Sequence, residues 1–71
     1  MLSFLIGNGS FFALTATLQF QDLSGNWMTV STNVDVNDTV INIRLNELQQ
    51  RYKDKRVRAI DSQTGAVIDT R

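Results

Sequence analysis

The chain has 71 residues, and its seven basic and seven acidic side chains give a formal net charge of zero. This length predicts a single domain over residues 1–71, near the lower size limit for a self-sufficient hydrophobic core. Cysteine and histidine are both absent, which excludes disulfides, thiolate metal centres and the commonest general base. We therefore expect no cofactor and no enzymatic activity.

The N-terminal residues are apolar and contain a turn signal. Residues 2–6 are a candidate strand, and Asn8-Gly9 is the preferred pair for a type I′ turn that folds them back on residues 11–15. An apolar strand left unpaired would form an edge that a second subunit usually covers. The residues expected to mediate self-association are Leu2, Phe4, Ile6 and Phe11.

The same N-terminal run is a poor targeting segment. No basic residue precedes it, and the sequence GNGS interrupts it after six residues. A signal peptide or a membrane-spanning helix is therefore not expected, and we predict no membrane contact.

The next segment reads as a β-hairpin. Residues 12–20 alternate between apolar and polar side chains, and residues 27–33 form a second β run after the turn cluster 22–26. A three-residue loop with Gly25 in the left-handed conformation sets the register. This register pairs Asp22 with Asn26, Phe20 with Met28, Leu18 with Val30 and Ala16 with Thr32.

Trp27 has an unusual position in this predicted hairpin. The register places it beside Gln21, on the polar face that also carries Thr17, Gln19, Thr29 and Ser31. One interpretation is that another strand or the helix covers the indole, or that it rests on the rim, because large aromatic side chains are highly buried on average. The other is a contact surface, since tryptophan is enriched at binding hot spots.

A helix is predicted after the hairpin. Asn37 is a suitable N-cap for a helix beginning at Asp38, and Val36 and Ile41 are spaced as a hydrophobic staple. An apolar stripe at helical spacing follows, formed by Ile41, Leu45, Leu48 and Tyr52.

Residues 39–45 also fit a strand, because Ile41, Ile43 and Leu45 alternate with polar residues. We favour the helix, since the stripe continues to Tyr52 and LNELQQR is rich in helix-forming residues. On a helix Ile43 points away from the stripe, which makes it a candidate for contact with a partner or a second copy.

The chain closes with a second predicted hairpin, in which residues 56–61 and 66–71 flank the turn 62–65. The expected pairs are Asp61 with Ala66, Ile60 with Val67, Ala59 with Ile68, Arg58 with Asp69 and Val57 with Thr70. The predicted fold class is α+β: a small antiparallel sheet with one helix packed on one face, in the order β-β-β-α-β-β.

Motifs for chemistry are weak in this sequence. Nucleophilic catalysis without histidine or cysteine would need a serine or threonine activated by lysine or an amine. The segment 35–38 lacks the glycine and glutamate of a calcium loop, and Gly7-Asn8-Gly9 lacks the lysine and helix of a phosphate-binding loop. We predict no catalytic, cofactor-binding or metal-binding residues.

The sequence RYKDKRVR concentrates five cations within residues 51–58. It predicts either a basic corner that meets phosphates or an acidic protein surface, or a solvated helix end and strand face. The zero net charge argues against nucleic acid as the main partner. The candidate partner-binding residues are Trp27, Ile43, Arg51, Lys53, Lys55, Arg56 and Arg58.

These observations favour a small non-enzymatic protein-binding module that acts as a homodimer and as a regulator or inhibitor. Its make-up is similar to that of many short accessory proteins of phages and mobile elements, a likeness of composition alone. We expect a cytoplasmic setting, including that of a virus-infected host cell. The alternatives are a nucleic-acid-associated protein that uses residues 51–58, and a structural subunit that assembles by strand addition.

Overall fold

The computed structural model describes residues 14–71 of the chain. The elements are β1 (Thr15–Gln21), β2 (Trp27–Asp35), α1 (Asp38–Arg51), β3 (Val57–Asp61) and β4 (Val67–Thr70). The strands form one antiparallel sheet in the order β2-β1-β3-β4, and the helix contacts β2 and β3. The predicted α+β class, with one helix on an antiparallel sheet, is confirmed.

The predicted first strand, residues 2–6, and its Asn8-Gly9 turn lie outside the described residues, as do Leu2, Phe4, Ile6 and Phe11. From Thr15 onward β1 is a central strand, with β2 on one side and β3 on the other. Both edges of β1 are therefore occupied, and a further strand has no place beside Thr15–Gln21.

The loop of the first hairpin is organised by Asp22. Its backbone N–H donates to the Asn26 carbonyl at 2.8 Å, and its carboxylate accepts from the backbone N–H groups of Ser24 and Asn26, each at 2.9 Å. Gly25 has a φ of 88°, which a side chain would disfavour. The predicted three-residue loop with a left-handed Gly25 is confirmed.

The register of this hairpin is confirmed near the loop and wrong farther along. Phe20 faces Met28 and Gln21 faces Trp27, but two β-bulges in β2 then shift the pairing. Leu18 faces Ser31 instead of Val30, and Ala16 faces Val34 instead of Thr32.

Burial of Val34 explains the second bulge. The extra residue moves Val34 opposite Ala16 and beneath the helix, where it is only 3% exposed. Asn33 within this bulge has a φ of 57°, a conformation that asparagine tolerates better than most residues. The buried apolar area offsets the loss of regular ladder hydrogen bonds.

The helix begins where the sequence predicts. The Asn37 side chain accepts from the backbone N–H groups of Thr39 at 2.9 Å and Val40 at 3.1 Å. At the other end Tyr52 stacks on Phe20 with ring centroids 4.1 Å apart, nearly parallel. The strand alternative for residues 39–45 is therefore wrong.

The hydrophobic core lies between α1 and one face of the sheet. Its buried members are Ala16, Leu18, Val34, Ile41, Leu45, Leu48, Val57 and Ala59. Three of the four residues of the predicted stripe are among them, and Tyr52 packs against the edge of the cluster. The stripe is thus the surface that attaches the helix to the sheet.

The closing hairpin keeps its predicted turn and departs from its predicted register. Asp61 N–H donates to the Ala66 carbonyl at 2.8 Å, and Ile60 faces Val67, as expected. A β-bulge at Ile68 then shifts the rest of the pairing. Ala59 faces Asp69, Arg58 faces Thr70 and Val57 bonds with Arg71, so the predicted Ala59–Ile68, Arg58–Asp69 and Val57–Thr70 pairs are wrong.

Arg71 provides the physical reason for this shift. Its guanidinium donates to the side-chain oxygens of Asn42 at 2.6 Å and Asn46 at 2.7 Å on the helix, and to Asp69 at 3.1 Å. The bulge turns Asp69 and Arg71 toward the helix side. Asp69 is thereby engaged with Arg71 and not with Arg58.

The β3–β4 turn depends on the Asp61 carboxylate, which accepts from the backbone N–H groups of Gln63 at 2.8 Å and Thr64 at 3.0 Å. The N–H groups of Thr64 and Gln63 hold the pKa of Asp61 below its ordinary value. A lowered carboxyl pKa stabilises the fold at pH values above the pKa of the unfolded chain. That contribution is lost as the pH falls through the folded-state pKa.

We predict that truncating the helix stripe destabilises the protein far more than truncating the outer helix face. Leu45→Ala and Leu48→Ala should each cost about 2–5 kcal/mol, because both side chains are buried. Ile43→Ala should cost little, since Ile43 is 50% exposed. Urea denaturation midpoints of the monomer measure all three, and equal losses for Ile43 and Leu48 would contradict the packing.

Candidate functional site

The face of the sheet opposite the helix is the candidate functional surface, which we call the open face. Successive side chains of a strand point to opposite faces. Because Leu18 and Ala59 point to the core, their neighbours point away from it. Within residues 14–71, no helix or strand packs over this side. The open face carries Thr17, Gln19, Gln21, Trp27, Thr29, Arg58 and Ile60.

Trp27 lies at the start of β2 on the open face, beside Gln21 as predicted. The Arg58 guanidinium carbon lies 4.0 Å from the centroid of the indole ring. Arg58 belongs to β3, so its side chain crosses the intervening strand β1 to reach Trp27. Within residues 14–71, an arginine covers the half-buried indole, and neither a strand nor the helix does.

A hydrogen-bonded relay holds Arg58 in this position. Its Nε donates to the Gln19 side-chain oxygen at 2.8 Å, and the Gln19 amide nitrogen donates to Thr29 Oγ1 at 3.3 Å. The relay links β3, β1 and β2 across the sheet. Indole stacking and the Nε hydrogen bond together restrict the guanidinium before any ligand arrives.

The two Nη groups of Arg58 are available as hydrogen-bond donors. Within the described residues, neither Nη makes a hydrogen bond, and the ion pairs are Arg44–Glu47 at 3.8 Å and Arg71–Asp69 at 3.1 Å. A guanidinium whose two Nη groups are both free matches a carboxylate or phosphate in a bidentate arrangement. The open face therefore presents an oriented anion-binding group next to a large aromatic side chain.

Arg56 adds a second cation near this pair. Its carbonyl accepts from the Gln21 N–H at 2.9 Å, which places the Arg56 backbone beside the cross-strand partner of Trp27. Its side chain is exposed. Trp27, Arg56 and Arg58 are thus brought to one end of the sheet.

The other sequence-predicted residues lie elsewhere. Arg51 is exposed at the helix C-terminus, and Lys53 is exposed beside Gln49 and Gln50. Lys55 is half-buried. Ile43 lies on the outer helix face, as predicted. The basic corner over residues 51–58 is therefore divided among separate surfaces.

Sequence reasoning missed Gln19 as the residue that holds Arg58, and it missed Arg44. The predicted hairpin register already places Gln19 and Trp27 on the same face. A contact between that face and a cation was therefore predictable from the sequence. The pairing of β3 with β1 has no local signal in the sequence. Arg44 carries no predicted role in the sequence analysis.

Residues 14–71 contain neither a cluster of metal-ligating side chains nor a helix that spans a membrane. Among residues 14–71, no three acidic side chains are grouped closely enough to hold a metal ion. In the same region, the single helix is too short and too polar to cross a bilayer. Comparisons with protein-family models, curated proteins and solved structures find no match for this chain.

We predict a measurable coupling between Trp27 and Arg58. A double-mutant cycle of Trp27→Leu and Arg58→Met should give a favourable coupling of about 0.5–1 kcal/mol, the range for a partly exposed cation–π contact. Urea denaturation of the four proteins measures it. A matched cycle that pairs Trp27→Leu with Arg51→Met should show no coupling, and equal values in the two cycles would contradict the stacked arrangement.

Proposed function

We propose that the protein is a small, non-enzymatic protein-binding module whose open face recognises an acidic segment of a partner. The observation that carries this proposal is the Trp27–Arg58 stack, in which Gln19 orients the guanidinium and leaves its outer nitrogens free. A partner carboxylate would meet the Nη groups of Arg58, and the surrounding chain would cover Trp27.

The energetic case depends on residue type and preorganisation. Tryptophan and arginine are the residue types most enriched among binding hot spots, and here they lie in contact at one end of the sheet. Long charged side chains normally lose conformational freedom when they bind, which weakens affinity. Arg58 has already lost much of that freedom in the free protein, because stacking and the Gln19 hydrogen bond hold it.

A binding module of this kind acts by occupying a surface of its partner, so we propose a regulatory or inhibitory role. The zero net charge and the absence of cysteine favour a cytoplasmic setting, including that of a virus-infected cell.

Single-stranded nucleic acid is the second candidate ligand. An aromatic side chain on a sheet face, flanked by cations, is what single-strand binders use to stack bases and track phosphates. Trp27 with Arg56 and Arg58 has this composition. Zero net charge opposes it, because nucleic-acid affinity depends largely on neutralised phosphates.

Fluorescence titration of Trp27 tests the proposal and separates the two ligands. Hexaglutamate should change the emission of the wild-type protein and bind more tightly than a six-nucleotide oligothymidylate at the same ionic strength. Arg58→Gln should weaken hexaglutamate binding about tenfold or more, the effect of losing a charge-assisted bidentate contact. Lys53→Gln, an equal change of charge in the turn after the helix, should leave it unchanged.

Equal losses in the Arg58 and Lys53 variants would show a non-specific charge effect and contradict the proposal. Tighter binding of the oligothymidylate, lost in Arg58→Gln, would assign the open face to nucleic acid.

We also propose a homodimer formed through the N-terminal apolar residues, with Ile43 as a second contact. The support is the concentration of apolar residues in the first twelve positions and the 50% exposure of Ile43. Sedimentation equilibrium should give a dimer for the wild type and a monomer or an aggregating chain for Phe4→Asp or Ile6→Asp. A single 8.0 kDa species at tens of micromolar would refute the dimer.

Assembly by strand addition at the edges of the described sheet has less support. The edge strand β2 carries two bulges, and at the other edge the Thr70 N–H donates to the Asp69 carboxylate at 2.9 Å. Bulges and occupied edge donors are features that block strand pairing.

A further inference from the structure

A small cavity lies between α1 and β2, on the helix side of the sheet and away from the open face. Its volume is about 140 Å³. Leu18, Val30 and Leu48 form its apolar wall, and Ser31, Arg44, Glu47 and Arg51 form its polar wall. No step in the proposed binding of an acidic segment uses this cavity.

The first bulge of β2 creates the polar side of the cavity. The register changes between the Gln19–Thr29 and Leu18–Ser31 pairs, so two residues of β2 oppose one residue of β1. As a result Ser31 turns toward the helix, where its hydroxyl accepts from Arg44 Nη2 at 3.3 Å. Bulges often redirect a side chain toward a functional site.

Arg44 is positioned but incompletely paired. Its hydrogen bond to Ser31 is long, and its Nε lies 3.8 Å from the Glu47 carboxylate, beyond hydrogen-bonding distance. The Glu47 side chain is 69% exposed and is free to move away. Arg44 therefore retains donors that a ligand can use.

Arg51 supplies the second cation of the cavity. It follows Arg44 by seven residues, close to two helical turns, so both line the same side of α1. Within the described residues, Arg51 has no carboxylate within ion-pair distance. With Arg44, Arg51 and Glu47 the polar wall carries a net charge of +1, since two positive charges minus one negative charge leave one.

Charge and volume together define the ligand class. A net charge of +1 suits one negative charge, and 140 Å³ equals about five water molecules at about 30 Å³ each. Val30, the half-buried member of the apolar wall, suits a short hydrocarbon arm. We propose that this cavity binds a small monocarboxylate, with its carboxylate between Arg44 and Arg51, the Ser31 hydroxyl donating to it, and its hydrocarbon arm against Val30.

Propanoate is the probe, with propanamide as its uncharged analogue and inorganic phosphate as the competing oxyanion. In a ¹⁵N-resolved NMR titration at constant ionic strength, propanoate should saturate and shift the Ser31 amide and the Arg44 Nε signal. Propanamide should bind at least about tenfold more weakly than propanoate, because it lacks the negative charge of the carboxylate. Tighter binding of phosphate, or equal binding of propanamide, would overturn the assignment.

Matched variants locate the site. Arg44→Gln should weaken propanoate about tenfold or more, while Glu47→Gln should strengthen it by removing the competing carboxylate. Lys53→Gln, an equal loss of one positive charge outside both the cavity and the open face, should leave affinity unchanged. Should Arg44→Gln fail to fold, Arg51→Gln gives the same comparison. Equal effects of the cavity variant and Lys53→Gln, or shifts confined to other residues, would refute the proposal.

Discussion

The packing of the helix stripe against one face of the sheet is the constraint on which the rest of the structure depends. Leu45 on the helix, Leu18 on β1 and Val57 on β3 are fully buried together. Within residues 14–71, a single helix covers one face of a four-stranded sheet. The core of this region is therefore one-sided, and the open face is the side that the helix leaves uncovered.

The bulges illustrate how the sheet adapts to that contact. In β2 the first bulge turns Ser31 toward Arg44 and shapes the cavity, and the second moves Val34 beneath the helix and completes the core. In the closing hairpin the bulge directs Arg71 to the helix asparagines. Each bulge loses regular hydrogen bonds between strands and gains a contact with α1.

The two candidate binding surfaces lie on opposite sides of the sheet. The Trp27–Arg58 pair lies on the open face, whereas Arg44 and Arg51 line a cavity on the helix side. The sheet stands between them, so substitutions at one surface leave the side chains of the other in place. Lys53 belongs to neither surface, which makes Lys53→Gln an informative control for both.

The sequence by itself determined the features that depend on near neighbours. Asn37 capping the helix, the stripe through Leu48, Gly25 in its loop and Asp61 in its turn all follow from helical period, capping and turn chemistry. Only the tertiary structure decided the strand order, the bulges and the reach of Arg58 over Trp27. These depend on contacts between distant segments, because a bulge is favourable only when the helix is present to bury the residue that it moves.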